Sequence, residues 1–321
     1  MLSEETISNL VDCVLPEDKI RQLLLDLSSD RIDLRILTAF INAVKAKSEF
    51  KFDGTINAMD CSGTGGSKLA HFNTSTTVAF VLAAADVKVA KFGNRSASSL
   101  SGSFDLLEAL GIPASIPFEH VFELLDSVGL VFLYAPYYYP SLAKLAAIRR
   151  SLPGPSIFNS IGPLLHPLNP KFRLMGTSDA VVQHLVTAYL STDKHTEKAI
   201  VVRSERGLDE FDPCATSNYF EVEPGEMSAL RAFENTCTVD LPPETLTAEL
   251  NYEIFHQVLV GSAEPYFQNI VCTNAGAGLK VAGKVKSIEE GVELARELLL
   301  TGAVAEKYEQ CRRAYAWFVN A

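Results

Sequence analysis

With 321 residues, 47% hydrophobic and 21% charged, the chain can bury a large core in one big domain or two, and no stretch approaches the roughly 20 apolar residues of a membrane helix. A net charge of −11 argues against nucleic acid or an anionic membrane as the main partner. The six cysteines, at positions 13, 61, 214, 237, 272 and 311, form no CxxC pair, and the acidic N-terminus is unlike an export signal, so a reducing cytoplasm is the expected compartment.

In chain order, the first fifty residues read as three short helices. Ile7, Leu10, Val11 and Val14 follow the i, i+3, i+4, i+7 spacing of one apolar stripe, as do Ile20, Leu23, Leu24 and Leu27; Leu34, Leu37, Ile41 and Val44 keep a similar one. Pro16 separates the first helix from the second. Such stripes suit core-facing helices and also a contact with a second copy.

Residues 56–60 then read as a buried strand, ahead of Gly63, Gly65 and Gly66 and an apolar helix from Val78 to Ala85. In that order, glycines let backbone N–H groups face an anion at a helix N-terminus. By itself the loop is equally a tight turn without a ligand, since it lacks both the Walker Lys-Ser/Thr pair and the GxGxxG spacing. Its company tips the balance. Asn73, Thr74, Ser75, Thr76 and Thr77 crowd the next helix start, and Lys91, Asn94 and Arg95 follow a short strand over 87–90. Ser96, Ser98 and Ser99 read as caps ahead of Leu106, Leu107 and Leu110. Two anion-ready turns are thus expected side by side at strand ends, within a stretch, 61–171, that carries eight basic against six acidic residues.

Further on, 130–135 suits a buried parallel strand. Ser141 to Arg150 reads as a helix whose Lys144, Arg149 and Arg150 serve either the helix dipole or a ligand. Strands are expected at Phe172 to Gly176 and Ala199 to Val202, with a helix from Ala180 to Leu190 between them. Asp209 and Glu210 are either solvated surface charge or part of a divalent site, because Mg²⁺ is typically held by one or two carboxylates plus phosphate oxygens. The tail reads as helices, with Ser287 as an N-cap and Glu290 as its partner.

As a set, these segments resemble the anthranilate phosphoribosyltransferase family, whose pattern runs GTGGD, FNIST, KHGNR, SSxSGSxDxLEALG. The counterparts here are Gly63 to Ser67, Phe72 to Thr76, Lys91 to Arg95 and Ser98 to Gly111. The helix bearing Arg149 with the segment from Phe158 to Pro167 is similar to the family's FNxLGPLxNP region, and the segment from Asn274 to Gly283 to its NAAAALYVAG segment. The likeness runs from the first helix to the last, which makes a fused extra domain unexpected.

The resemblance implies an α/β fold: a small N-terminal helical domain, 1–54, joined by a helical part of 140–195, and a larger domain, 55–321, with a mainly parallel central sheet flanked by helices, as in nucleoside phosphorylases. It implies a homodimer through the N-terminal helices. It also implies Mg-dependent transfer of phosphoribosyl from phosphoribosyl pyrophosphate to the amine of anthranilate, as in tryptophan biosynthesis. Gly63, Thr64, Gly65, Gly66, Ser67, Asn73, Ser75, Thr76, Lys91 and Ser99 would hold the sugar pyrophosphate. Ser75, Asp209 and Glu210 would place the metal, and Asn94, Arg149, Phe92 and Tyr139 would face the acceptor, Arg149 gripping its carboxylate. No acid–base residue is assigned, since an aromatic amine is already neutral at pH 7.

Three positions depart from the family pattern: Ser67 stands for Asp, Phe92 for the His of KHGNR, and Tyr139 for a His before Pro. Replacing both histidines flattens the acceptor wall, so a paralogue using another aromatic or heteroaromatic acceptor is the alternative. A pyrimidine nucleoside phosphorylase, using phosphate without Mg²⁺, and a non-catalytic nucleic-acid-binding relative are less favoured.

Overall fold

The computed structural model describes residues 3–27, 31–65, 67, 69, 72–95, 102–114, 116–152, 156–235 and 246–320. Three helices come first, α1 (Glu4–Val11), α2 (Glu17–Asp26) and α3 (Leu34–Lys45). Their apolar stripes are largely buried, Leu34 only partly, with Phe40 completing that of α3. Ser3 Oγ accepts from the Thr6 N–H (3.1 Å) and Asp33 Oδ1 from the Ile36 N–H (2.8 Å), which satisfies donors left open at helix starts. Val14 departs from expectation. The chain leaves α1 after Val11, Cys13 turns into the left-handed region (φ 54), and Val14 is 66% exposed.

The body alternates strand and helix: β1 (Ile56–Gly63), α4 (Thr74–Ala84), β2 (Val89–Gly93), α5 (Ser103–Ala109), α6 (Phe118–Ser127), β3 (Leu130–Tyr134), α7 (Ala135–Tyr138), α8 (Ala143–Arg150), α9 (Ile157–Ile161), β4 (Pro170–Gly176), α10 (Ala180–Thr192) and β5 (Lys198–Ser204). A small antiparallel extension follows, β6 (Ser217–Glu223), β7 (Glu226–Met227) and β8 (Arg231–Phe233), and then α11 (Ala248–Leu259), α12 (Pro265–Val281), α13 (Ile288–Leu300) and α14 (Ala303–Asn320). The sheet order is β3-β2-β1-β4-β5-β6-β7, with β8 also on β6. The five strands β1 to β5 are parallel, as expected; the antiparallel edge is an addition.

Helix α4 is apolar almost all round and is buried from Thr76 to Ala83, the pattern of a helix packed on both sides. It begins at Thr74, four residues before the expected start, so the hydroxyl run is its first turn. Helix α12 packs against it: a Cβ on Gly278 would meet Leu82 Cδ2 at 2.9 Å. On its other side α12 crosses α13 at Gly276 and Gly291, where a Cβ on Gly276 would stand 2.7 Å from the Ile288 carbonyl oxygen. Helix α5 starts at Ser103, where the Asp105 carboxylate accepts from the Gly102 N–H (2.7 Å); the serines expected as caps lie outside the described residues. The Ser287 cap of α13 is present, its hydroxyl accepting from the Glu290 N–H (3.1 Å). Helix α2 lies on α8, and α3 lies on α9 and α10. Among the described residues no helix is long and apolar enough to cross a membrane.

Candidate active site

The chain runs outward from β1 through β2 to β3, then restarts on the other side of β1 with β4 and β5. The carboxyl ends of β1 and β4 therefore flank a topological switch point, where open α/β sheets form their ligand crevice. Both strands end in glycine, and Gly63 and Gly176 are register partners. Beyond them the Thr64 N–H donates to the Gly176 carbonyl (2.9 Å). Gly65 is left-handed (φ +67), a conformation glycine adopts without strain.

The turn after β5 drops Asp209 onto this floor. The Gly65 N–H donates to Asp209 Oδ2 (2.8 Å), and Ser178 Oγ donates to the Gly65 carbonyl (3.0 Å). A Cβ on Gly63 would stand 2.2 Å from Asp209 Oδ2, and one on Gly176 would stand 1.6 Å from the Asp209 carbonyl oxygen. Only glycine leaves the acidic turn room. Two stretches far apart in sequence thus share one crevice. The expected amide cradle is altered in one respect, because the Gly65 N–H is committed to Asp209 rather than offered outward.

Glu210 keeps some contact with solvent, yet protein packed around its carboxyl and the adjacent Asp209 push it well above the usual carboxylate range; the Thr74 hydroxyl and Lys91 pull the other way. Two neighbouring acids in such surroundings are destabilised as a dianion, and a divalent cation relieves that. Among the described residues no group of three or more His, Cys, Asp or Glu could hold a metal alone. Mg²⁺ does not require one, since it keeps waters and takes substrate phosphate oxygens. The residues present therefore fit Mg²⁺.

At the start of α4, Asn73 is the N-cap but does not cap its own helix through its side chain. Asn73 and Ser75 stay partly exposed; Thr76 is buried, its Oγ1 without a hydrogen-bond partner, and Thr77 Oγ1 bonds back to the Asn73 carbonyl (3.2 Å). Ser67 Oγ accepts from the Leu69 N–H (3.1 Å). Gly66 and Ser99 lie outside the described residues.

The second turn is less open than expected. Lys91, on β2, is 3% exposed, and it lies close enough to Asp60 and Glu210 to lower the pKa of both. Arg95 is not available to an anion, since its guanidinium engages Asp105 (3.3 Å) and Glu108 on α5. Asn94 is exposed and accepts from the Arg95 N–H (2.7 Å). Phe92 and Tyr139 meet edge to face, with centroids 6.2 Å apart, and both are buried against His166 or the Leu165 carbonyl, which takes the Tyr139 hydroxyl (2.7 Å). Arg149 belongs to another cluster: its guanidinium lies 4.6 Å over the Phe158 ring, and burial alone lowers its pKa.

Four supporting residues escape a reading of the sequence. Asp60, wholly buried on β1, accepts from the Phe92 N–H (3.1 Å) and from Ser62 Oγ (2.7 Å); burial raises its pKa, while Lys91 and then Arg173 lower it. Arg173, on β4, is 1% exposed and stands 4.0 Å from Asp193. Asn251 Oδ1 accepts from the Asn73 N–H (2.9 Å). Asn274 bonds to the backbone of Phe211 in both directions, each at 3.0 Å. The one available signal is an asparagine amid an otherwise apolar, buried helix, because a buried amide needs partners.

Residues 55–305 match the family described as Glycosyl transferase family, a/b domain. The anthranilate phosphoribosyltransferase of Streptococcus gordonii is 38% identical over 95% of this chain and 92% of its own. The crystal structure of anthranilate phosphoribosyltransferase from Thermus thermophilus superposes with a TM-score of 0.84 at 30% identity, covering 100% of this chain and 97% of that one. At 20% identity, the Saccharomyces cerevisiae enzyme in complex with PRPP and Mg shares the fold, with a TM-score of 0.85 over 98% of this chain and 92% of that one. This chain belongs to the anthranilate phosphoribosyltransferase family.

Proposed function

We propose that the protein transfers the phosphoribosyl group of phosphoribosyl pyrophosphate to the amine of anthranilate, releasing pyrophosphate, with Mg²⁺ as cofactor. The observation that carries this reading is the hydrogen bond from the Gly65 N–H to Asp209, which puts the glycine loop and the acidic pair in one crevice at the switch point. Breaking the bond from ribose C1 to the pyrophosphate oxygen leaves negative charge on the departing group, so stabilising that charge is the larger task. Lys91, Ser75 and Thr76 hold the phosphates, the last through a hydroxyl with no other partner. Ser67, Asn73 and the loop at Gly63 belong to the same site.

Asp209 and Glu210, with Ser75, would hold Mg²⁺, which when bound supplies positive charge to the pyrophosphate oxygens. The acceptor needs positioning more than activation. Arg149, kept on Phe158, grips the carboxylate, while Phe92, Tyr139 and Asn94 bound the acceptor side. The helices α1 to α3, joined by α8 and α9, form the smaller domain; α1 to α3 make the homodimer contact, and the compartment is the cytoplasm.

The test is the loss of anthranilate fluorescence in the presence of phosphoribosyl pyrophosphate and Mg²⁺. Consumption that stops with chelation and returns with Mg²⁺ is expected. No consumption of anthranilate, or equal activity with inorganic phosphate and a nucleoside, overturns the reading. Sedimentation at micromolar concentration tests the dimer.

A further inference from the structure

The turn that carries Asp209 and Glu210 is held from two directions. Beneath it lies the glycine floor of Gly63 and Gly176, which fixes how far it can sink. From the side comes Asn274, on α12 and 4% exposed: its Oδ1 accepts from the Phe211 N–H and its Nδ2 donates to the Phe211 carbonyl, both at 3.0 Å, and Nδ2 also donates to the Ile270 carbonyl (2.8 Å). Phe211 directly follows the acidic pair. A carboxamide is the one side-chain group short enough and bifunctional enough to pair with both peptide groups of one residue in this way.

Helix α12 is a rigid mount for such a clamp. Gly276 and Gly278, two and four residues on, bring it against α13 and α4, and α4 presents Ser75 and Thr76 at its first turn. We infer that Asn274 is a positioning residue: it sets the acidic turn at a fixed place relative to the start of α4, so that both sides of the diphosphate site are aligned before substrate arrives. This rests on the reading of Asp209 and Glu210 as metal ligands, and partners that orient ligands typically matter by about 10–100-fold in metal affinity or activity.

The test compares Asn274→Asp, which keeps the acceptor for the Phe211 N–H and loses both donors, with Asn269→Ala, which removes another largely buried amide of α12, one that accepts from Arg296 (2.8 Å). Two quantities are read: hydrogen exchange of the metal-free enzyme over 60–65 and 205–215, and the Mg²⁺ concentration for half-maximal activity. Asn274→Asp is expected to speed exchange in both segments, because Gly65 reports on Asp209, and to raise the Mg²⁺ requirement tenfold or more, leaving KM for anthranilate at saturating Mg²⁺ within twofold. Asn269→Ala is expected to move neither.

Equal effects from the two variants, or no effect from Asn274→Asp, overturn the assignment. Should Asn274→Asp fail to fold, Asn274→Ser is read in the same way. Asp209→Asn separates the two ideas. If it leaves the Mg²⁺ requirement unchanged, the metal-site reading fails; if it raises it while Asn274→Asp does not, only the positioning role fails.

Discussion

Gly63 and Gly176 sit opposite each other in the sheet and face the same residue, yet they face different parts of it. A Cβ on Gly63 meets the carboxylate end of Asp209, a group that can swing aside, whereas one on Gly176 meets the main-chain carbonyl, which cannot move without the whole turn. Gly63→Ala is therefore expected to fold with little change in denaturation midpoint and to lose activity at least tenfold. Gly176→Ala is expected to lose about 1–3 kcal/mol of stability as well, the usual cost of overpacking, read by urea unfolding. Equal midpoints for the two would contradict this. Glu210 gives a second prediction. Its folded pKa is raised above the unfolded value, so its contribution favours folding at low pH and is lost as pH climbs through the raised value. Compared with Glu210→Gln, the metal-free wild type should lose thermal stability as pH rises above the usual carboxylate range, and saturating Mg²⁺ with phosphoribosyl pyrophosphate should narrow the gap. A flat difference between the two proteins would show that Glu210 is not held protonated.

At the scale of elements, what the sequence made legible was periodicity and punctuation. The buried runs of β1, β3, β4 and β5 and, Val14 apart, the stripes of α1 to α3 emerge where apolar spacing put them, because burial decides those elements locally. The glycine loop and the Asp209–Glu210 pair were visible as residue types, but their hydrogen bond spans 144 positions and depends on sheet order. The helix α4 begins at Thr74 rather than Val78 because the hydroxyl run that marks its start is itself packed into the first turn, where apolar spacing gives no signal. The roles of Asn251 and Asn274 were not legible, since the groups they hold at Asn73 and Phe211 are backbone contributed by other segments. The glycines of α12 show the same dependence and yield a prediction. Ala gains about 1 kcal/mol over Gly in a helix interior. At Gly278 the obstacle is a flexible Leu82 methyl, so Gly278→Ala should be close to neutral; at Gly276 it is the backbone of α13, so Gly276→Ala should destabilise by about 1–3 kcal/mol despite the helix gain. Urea unfolding of the pair checks the order, and a Gly278 variant weaker than the Gly276 variant would reverse the packing argument.

For the whole molecule, the join between the N-terminal helices and the sheet is polar as well as apolar. Lys45, in the last turn of α3, donates to Asn169 Oδ1 (3.0 Å) just ahead of β4, and Arg173 on β4 pairs with Asp193 at the end of α10. Burial, then the nearby Arg173, lower the Lys45 pKa to about 8, and Asp193 opposes them. The buried position and the neighbouring guanidinium make the Lys45 charge costly, a cost met where Lys45 bridges two layers. The sign of the resulting pH dependence is fixed by linkage. Between the folded value near 8 and the unfolded value of 10.5, the unfolded chain binds the extra proton, so unfolding becomes harder as pH rises through that window. Lys45→Met removes the titrating group whatever it does to the baseline. Chemical unfolding at intervals from about pH 7 to pH 10 should therefore show wild type gaining on the variant as pH rises. Parallel curves would mean that the seam is wetter than its geometry indicates, and that the helical layer is held to the sheet by its apolar contacts alone.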